Sequence, residues 1–209
     1  IDDFTIIRRT GPVVADGGFE NPVQPDGQFK QASGTGGGDL TGSAWTIAGG
    51  AGITRNYSGF QSGRIPAPEG EQHALFQSGN ASMTQTIGGF TPGQGYRLEL
   101  LTMARQGQSF GNDLEAVLDL GLPTELKLID LGEVTFSRFT EVQSPFFSAT
   151  KGSYTLTLRT TLDDGNLSGD RTTFVDDVHF AIIPEPATVV VWTLLAGLAA
   201  GYVCRRRKK

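Results

Sequence analysis

Two carboxylates in apolar surroundings are the residues in this sequence best suited to chemistry. Asp176 lies in the stretch FVDDV, where strand alternation predicts that Phe174, Asp176, Val178 and Phe180 share one face and point into the core. Glu20 lies in GGFEN, among glycine and apolar residues near the predicted end of a sheet. Burial of an isolated charge is costly, so an inward carboxylate requires a cation or several hydrogen-bond donors. The pattern therefore predicts either a bound cation or a donor network at these two residues.

Catalytic motifs have little support in the sequence. The two histidines, His73 and His179, are far apart in the chain and lack the spacing of metal ligands. The neighbouring acids Asp176 and Asp177 point to opposite faces of a strand, so they cannot work as the paired carboxylates of a glycosidase. The sequence contains no G-x-S-x-G elbow and no phosphate-binding loop with lysine. We therefore predict that the protein is not an enzyme.

Short β-strands must position these residues, because alternation of period two recurs along the chain and no helical period is found before residue 184. Turn sequences such as TPG, GLP and DDG separate the runs. The strand candidates are residues 45–47, 52–55, 73–77, 83–87, 96–100, 114–120, 125–130, 142–149, 154–158 and 173–182. We predict one all-β domain over residues 1–183, an antiparallel β-sandwich of the jelly-roll type.

The charge balance limits the partners of that domain. Five of the 17 Lys and Arg residues belong to a terminal cluster, which leaves residues 1–186 with 12 against 22 Asp and Glu and a net charge of −10. Such a balance argues against nucleic acid or an anionic membrane as the partner. The single cysteine, Cys204, lies near the C-terminus, so the domain has no disulfide. A structural metal is one way to hold its loops and termini together.

The C-terminus predicts a membrane span. Residues 187–204 carry no charge and are followed at once by the basic cluster 205–209. A helix of this length spans about 27 Å, close to the thickness of a bilayer's hydrocarbon core. The positive-inside rule places the basic end in the cytoplasm and everything before Pro184 outside. An exported domain needs a leader, so we predict that the leader before Ile1 has been removed or that the chain is a fragment.

The order of these features is specific. The tripeptide Pro184-Glu185-Pro186, the apolar segment and the cations Arg205, Arg206 and Arg207 together resemble the bacterial PEP-CTERM sorting signal. In that family an exosortase, a membrane protease-transpeptidase, processes the tail and releases or re-attaches the protein at the cell envelope. The resemblance implies an exosortase as partner and a final location in the envelope or outside the cell, after anchoring in the inner membrane. An ordinary single-pass anchor is the alternative.

A second resemblance covers most of the exported part. Six phrases follow one another in the order seen in carbohydrate-binding-module-like, galactose-binding-like jelly rolls: ADGGFENP, AWTIAGGAGITRN, PAPEGEQHALFQ, SMTQTI, PGQGYRLELLTMARQG and GDRTTFVDDVHF. Related jelly rolls hold a structural Ca²⁺ between a glutamate of the first strand and an aspartate of the last. The resemblance implies that Glu20 and Asp176 hold Ca²⁺ here, with backbone carbonyls such as that of Gly18. Hydrogen bonds to Asp176 without a metal are the alternative.

Sugar binding in such a fold uses an arginine and exposed aromatic rings. Arg105 follows the predicted central strand and can donate hydrogen bonds to sugar hydroxyls. The aromatic candidates for stacking are Trp45, Tyr57, Phe60 and Phe110. The alternatives are that Trp45 and Phe60 belong to the core and that Arg105 pairs with Glu99 or Asp176.

Three functions remain open on the sequence alone. The first is an exported, envelope-sorted, non-catalytic domain that binds carbohydrate, such as an extracellular polysaccharide. The second is a structural or adhesive surface protein of the same fold without a sugar site. The third is the accessory domain of a larger secreted enzyme whose catalytic part precedes Ile1.

Overall fold

The chain folds into strands alone over the part that the structure describes. The computed structural model describes residues 11–32, 40–59, 65–77, 79–106, 111–161 and 171–183. Within these ranges each paired strand is antiparallel to its neighbour, which confirms the predicted all-β class. The strands are β1 Phe29–Gln31, β2 Thr46–Ala48, β3 Ala51–Arg55, β4 Gln72–Gln77, β5 Ser82–Gly88, β6 Gly95–Ala104, β7 Asp113–Leu118, β8 Leu126–Glu133, β9 Thr140–Gln143, β10 Phe147–Ser148, β11 Ser153–Arg159 and β12 Thr172–Ile183.

Two sheets share these strands. The seven-stranded sheet has the order β1-β3-β4-β12-β6-β10, and β9 pairs with β6 beside β10. The five-stranded sheet has the order β2-β5-β11-β7-β8. The last strand in sequence, β12, therefore lies in the middle of the larger sheet, between β4 and β6.

One apolar core lies between the two sheets, because alternation along each strand sends every second side chain inward. In β11 the side chains of Tyr154, Leu156 and Leu158 are buried in this core, as the sequence pattern predicts. The same core contains Ile53 of the seven-stranded sheet and Met83 of the five-stranded sheet. The architecture is therefore an antiparallel β-sandwich.

A second apolar cluster lies on the outer face of the seven-stranded sheet. Its buried members are Leu75, Met103 and Phe174, and Phe29, Ile65 and Phe139 pack against them. The imidazole of His73 is fully buried there, with ring centroids 4.9 Å from Phe174 and 5.4 Å from Phe139. We call this surface the covered face. The outer face of the five-stranded sheet, which carries the hydroxyl side chains of β5 and β11, is called the open face.

A β-bulge in β12 changes the expected alternation. Phe174 lies on the covered face, whereas Val178 and Phe180 lie in the main core. The prediction that these three residues share one face is therefore wrong. The register of β12 against β6 shifts between Asp176 and His179, and Asp177 has a positive φ of 49°. One extra residue in a bulge moves all later side chains to the other face.

The other strand predictions agree with the structure except at their ends. The predicted run 142–149 is split into β9 and β10 around Pro145, which has no N–H to donate to a ladder. The predicted run 114–120 ends at Leu118, because Asp119 adopts a positive φ of 52°. The short strand β1 was not predicted, since its three residues show no alternation long enough to recognise.

The sorting signal at residues 184–209 lies outside the described residues, so the membrane span remains a prediction. The same holds for Phe60 and Phe110, two of the aromatic candidates. Among the residues that the structure does describe, no helix is long and apolar enough to cross a bilayer.

Candidate functional site

The two predicted carboxylates meet at the segment that leads into β4. One side-chain oxygen of Glu20, Oε1, accepts hydrogen bonds from the backbone N–H groups of Glu71 and Gln72, both at 2.9 Å. Asp176 accepts one from the N–H of Glu69 at 3.0 Å and one from that of Asp177 at 2.8 Å. The segment that precedes the first strand and the last strand are thus both bound to residues 69–72. We call this region the carboxylate corner.

A third carboxylate, Glu69, belongs to this corner and was not predicted. Its side chain lies against the backbone of Gly18, where an added Cβ would stand 2.7 Å from Oε2. Gly70 has a φ of 63°, and a Cβ there would stand 2.2 Å from Oε1 of Glu20. The positive φ favours glycine at position 70, whereas a Cβ at position 18 would displace the flexible carboxylate of Glu69. The sequence signal was the phrase PEGE, in which two glutamates flank a glycine just before a strand.

The electrostatics of Asp176 differ from those of an ordinary aspartate. Burial raises its pKa to about 8, the two backbone N–H groups lower it, and the charges of Glu69 and Asp177 raise it further. The group is therefore largely protonated at neutral pH in the protein alone, and a nearby cation would reverse this. The corner offers oxygen ligands, which is the donor chemistry that Ca²⁺ takes. Among the described residues, however, no group of three or more His, Cys, Asp or Glu side chains is placed to hold a metal ion.

The predicted sugar-contacting residues are not brought together. Trp45 is buried in the core, stacked on Phe19 at 5.4 Å, and its Nε1 donates to the carbonyl of Asp16 at 3.0 Å. No ring face of Trp45 is left for a sugar. Tyr57 is 69% exposed and follows β3 with a φ of 65°.

Arg105 lies at the other end of the strands from Tyr57. It follows β6, and its N–H donates to the carbonyl of Thr172 at 2.9 Å. Thr172 pairs with Gln77, whereas the Tyr57 end of β3 pairs with Gln72. These two levels are separated by five residues of β4, about 17 Å at the rise of an antiparallel strand. One small ligand cannot contact both residues.

The open face carries a groove that sequence reasoning missed. Its volume is about 580 Å³, within the range of small-ligand pockets. Its floor consists of Ser82 and Thr84 of β5 and Thr155 and Thr157 of β11. The remaining lining residues are Asn80, Ala81, Asp119, Leu120, Leu122, Arg159 and Thr160. The alternating threonines of β11 were visible in the sequence, but their proximity to those of β5 depends on strand order.

The hydroxyl groups of Ser82, Thr84 and Thr157 have no hydrogen-bond partner within the described part of the chain. Thr157 is nonetheless almost completely buried, because the sides of the groove surround it. Its neighbour Thr155 has a hydroxyl 3.2 Å from that of Thr86. The floor of the groove thus offers three hydroxyls that can each donate and accept a hydrogen bond.

The charges beside the groove are paired with one another. Arg159 donates from Nε to Oε2 of Glu115 at 2.8 Å. Burial raises the pKa of Glu115, but hydrogen bonds from Lys127 and Arg159 outweigh this and hold it below its ordinary value. Asp119 is similarly buried, and hydrogen bonds from Lys151, the N–H of Thr155 and Thr124 lower its pKa overall. The groove is therefore polar without a large net charge.

No known family model matches this chain, and no curated protein matches it in sequence. Solved structures with a similar course of the chain exist. The xylan-binding CBM22-1 domain of Xyn10C from Paenibacillus barcinonensis has a TM-score of 0.46 and 14% identity, over 67% of this chain and 86% of that domain. TmCBM61 in complex with β-1,4-galactotriose has a TM-score of 0.42 and 16% identity, over 68% and 90%.

A third similar structure is the carbohydrate-binding module CBM36 in complex with calcium and xylotriose. Its TM-score is 0.44 at 12% identity, over 65% of this chain and 92% of that module. These neighbours are carbohydrate-binding modules. At such low identity and TM-score they transfer no site, and the assignment of a β-sandwich rests on the two sheets described above.

Proposed function

We propose that this chain is an exported, non-catalytic surface domain that binds neutral carbohydrate in the groove of its open face. The observation that carries the proposal is the floor of the groove, where Ser82, Thr84 and Thr157 have hydroxyls without partners among the described residues. A sugar ring presents the complementary groups, because each of its hydroxyls both donates and accepts. Leu122 at the edge of the groove can pack against the apolar C–H face of a ring.

Charge favours a neutral ligand over an acidic one. Arg159 is already paired with Glu115, and Asp119 is paired with Lys151 at 2.5 Å. An anionic ligand would have to compete with these pairs for the cations. A neutral oligosaccharide needs only the free hydroxyls and the exposed apolar edge, so we propose a neutral polysaccharide as the partner.

The test is binding by the full-length chain in detergent micelles to a panel of neutral and acidic oligosaccharides. The variant Thr84→Val with Thr157→Val keeps the shape of the floor and removes two hydroxyls. Each lost hydrogen bond costs about 0.5–1.5 kcal/mol, so we expect a loss of affinity on the order of tenfold. Thr135→Val is the control, because Thr135 is exposed after β8 and does not line the groove. Equal binding by both variants would contradict the proposal.

A structural or adhesive protein without a sugar site is the second candidate. The lining of the groove, as far as the structure describes it, contains no aromatic ring on which a sugar could stack. Stacking supplies much of the affinity in aromatic binding sites. Absence of binding to every member of the panel would favour this second function. An accessory domain of a larger secreted enzyme would bind sugar in the same groove.

The carboxylate corner is proposed as a structural calcium site. Asp176 and Glu20 would supply carboxylate oxygens and Gly18 a backbone carbonyl. Both carboxylates accept hydrogen bonds from residues 69–72, and Gly18 lies against Glu69. A bound cation would neutralise the buried carboxylate of Asp176 and would tie the start of the domain to its last strand. Calcium itself supplies no catalysis in this role.

The tail is proposed as an exosortase-read sorting signal. The support is the order Pro184-Glu185-Pro186, an uncharged segment and Arg205, Arg206 and Arg207. We expect the variant Pro184→Ala with Glu185→Ala to remain unprocessed in the inner membrane, with its C-terminus in the cytoplasm. Cell fractionation and the mass of the mature protein test this. Normal processing of that variant would leave an ordinary anchor or another protease as the explanation.

A further inference from the structure

The last strand ends directly beside the proposed membrane segment. Ile183 pairs with Gly95 of β6, and its carbonyl oxygen accepts a hydrogen bond from Nε2 of Gln94 at 2.6 Å. Only residues 184–186 separate it from the uncharged run that begins at Ala187. An extended chain advances at most about 3.6 Å per residue, so Ile183 lies within about 14 Å of the start of that run. This inference rests on the proposed membrane span.

Large apolar side chains are exposed at this end of the sandwich. Phe146 is 64% exposed and precedes Phe147, which pairs with Tyr96 one residue from Gly95. Val13 is 75% exposed and follows Gly11 and Pro12, which pack against Ile182 and Gly89. Leu122 is 54% exposed in the turn after β7, close to Lys151 through Asp119. Leu122 lines the groove of the open face, so we call only Val13 and Phe146 the basal rim.

The opposite end of the sandwich differs in the part of it that the structure describes. That end is defined by Ala104, Thr172 and Gln77, the residues at which β6, β12 and β4 meet. Among the described residues there, no large hydrophobic side chain is exposed. Among the described residues, Val13 and Phe146 are thus exposed at the end where the chain leaves β12, although Val23, Tyr57 and Leu126 are exposed elsewhere on the surface.

The charges near the basal rim are compatible with a lipid surface. Arg97 lies over the ring of Phe146 at 5.8 Å and forms an ion pair with Glu99. Lys151 lies over the ring of Tyr154 at 4.9 Å and pairs with Asp119. The cations at this end are therefore accompanied by aromatic rings and neutralised by carboxylates. Aromatic side chains are favoured at the interface between hydrocarbon and water.

We propose that the basal rim contacts the bilayer surface while the tail is still attached. In this orientation the end of the sandwich that contains Ile183 faces the membrane. Phe146 and Val13 enter the interfacial region, and the groove of the open face stays accessible from the side. Removal of the tail frees the rim, because the chain is then no longer held within about 14 Å of the lipid.

The test uses the full chain reconstituted in vesicles of phosphatidylcholine, whose headgroup has no net charge. In a Cys204→Ser background, single cysteines replace Val13 or Phe146 and carry a fluorophore that nitroxide-headgroup lipids quench. Ser137→Cys is the matched control, because Ser137 is exposed at the opposite end of the sandwich. Its neighbour Phe136 accepts a hydrogen bond from the N–H of Ala104, which lies at that end. Trp192 reports the span through quenching by lipids with brominated acyl chains, and Trp192→Phe corrects for Trp45.

We expect quenching at positions 13 and 146 to exceed that at position 137 by about twofold or more, as interfacial side chains contact the headgroups. Equal quenching at all three positions would overturn the proposed orientation. Quenching of Trp192 with neither rim position quenched would overturn the rim contact and leave the span intact; the rim would then face the processing protease or solvent. Absence of Trp192 quenching would refute the span itself, and the rim contact with it.

Discussion

The two outer faces of this sandwich carry the same type of secondary structure and different chemistry. On the covered face, Leu75, Met103 and Phe174 are buried under Phe29, Ile65 and Phe139, and even His73 is enclosed. On the open face, hydroxyl side chains line a groove and charges pair at its sides. The covered face therefore acts as a second core. The open face contributes little burial and has polar groups available to a ligand.

The two faces should therefore respond to mutation in opposite ways. Substitutions on the covered face should change the free energy of unfolding and leave ligand affinity unchanged. Substitutions on the open face should do the reverse. The following predictions test this division for the full-length chain in detergent micelles.

The largest effect is expected for Phe174→Ala. The side chain of Phe174 is fully buried in the second cluster, so its removal leaves a cavity beneath Phe139 and Ile65. Such truncations cost about 3–5 kcal/mol. Urea unfolding measures the loss, and sugar binding should persist below the transition. A change in the free energy of unfolding of less than about 1 kcal/mol would mean that the side chains of the covered face are poorly packed and do not form a second core.

The next effect concerns Asp176 and calcium. The pKa of Asp176 is about 8 in the fold and near 4 in an unfolded chain, so the folded state binds the proton more tightly. Stability of the chelated protein should therefore fall as the pH rises from about 4 to about 8. Calcium should restore stability at pH 7.5, because it binds the ionised carboxylate of the native state alone.

Thermal unfolding with and without chelator, at pH 5 and pH 7.5, measures both parts of this prediction. Asp176→Asn should remove the fall in stability from pH 5 to pH 7.5 in chelator and leave the opposite dependence due to His73. Glu20→Gln should weaken the response to calcium. Asp130→Asn is the control, because Asp130 lies on β8 of the other sheet, away from the corner, and its side chain is 55% exposed. Identical unfolding with and without calcium in the unsubstituted chain would exclude a structural calcium at the corner.

A smaller and opposite effect is expected for His73→Leu. Neither ring nitrogen of His73 has a hydrogen-bond partner among the described residues, and burial lowers its pKa to about 3. The unfolded chain takes up this proton near pH 6.5, so the unsubstituted protein loses stability as the pH falls below that value. Leucine should stabilise the fold by about 1–3 kcal/mol at pH 5 and by less at pH 7.5. An unchanged pH dependence would show that His73 finds a partner in solution.

The smallest effect on stability is expected on the open face. Thr84→Val should change the free energy of unfolding by no more than about 0.5 kcal/mol, because its hydroxyl has no partner to lose among the described residues. The same variant should lower sugar affinity by about two- to tenfold. A large loss of stability with normal binding would reverse the roles assigned to the two faces.

The sequence predicted the strands better than their environments. Alternation identified β11 and its inward residues, because a period of two survives wherever one face is buried. Alternation wrongly placed Phe174 on the same face as Val178 and Phe180. The bulge at Asp177 moves the later side chains of β12 to the other face, and nothing in the local sequence indicates it. Glu20 and Asp176 were singled out from the sequence, whereas Glu69 was missed because its place in the corner depends on close contact with Gly18. The groove was missed because β5 and β11 are distant in sequence and adjacent only in the sheet.

The central position of β12 has a mechanical consequence. Pulling on Ile183 along the strand loads the hydrogen bonds of β12 to β4 and β6 together, in shear, and does not peel them one at a time. Suppose that the domain is tethered through Ile183 and that fluid flow pulls on a polymer bound to it. The force would then act on β12, which is hydrogen-bonded to a neighbouring strand on each side. Tethering through an edge strand such as β1, with only three paired residues, would allow stepwise unzipping.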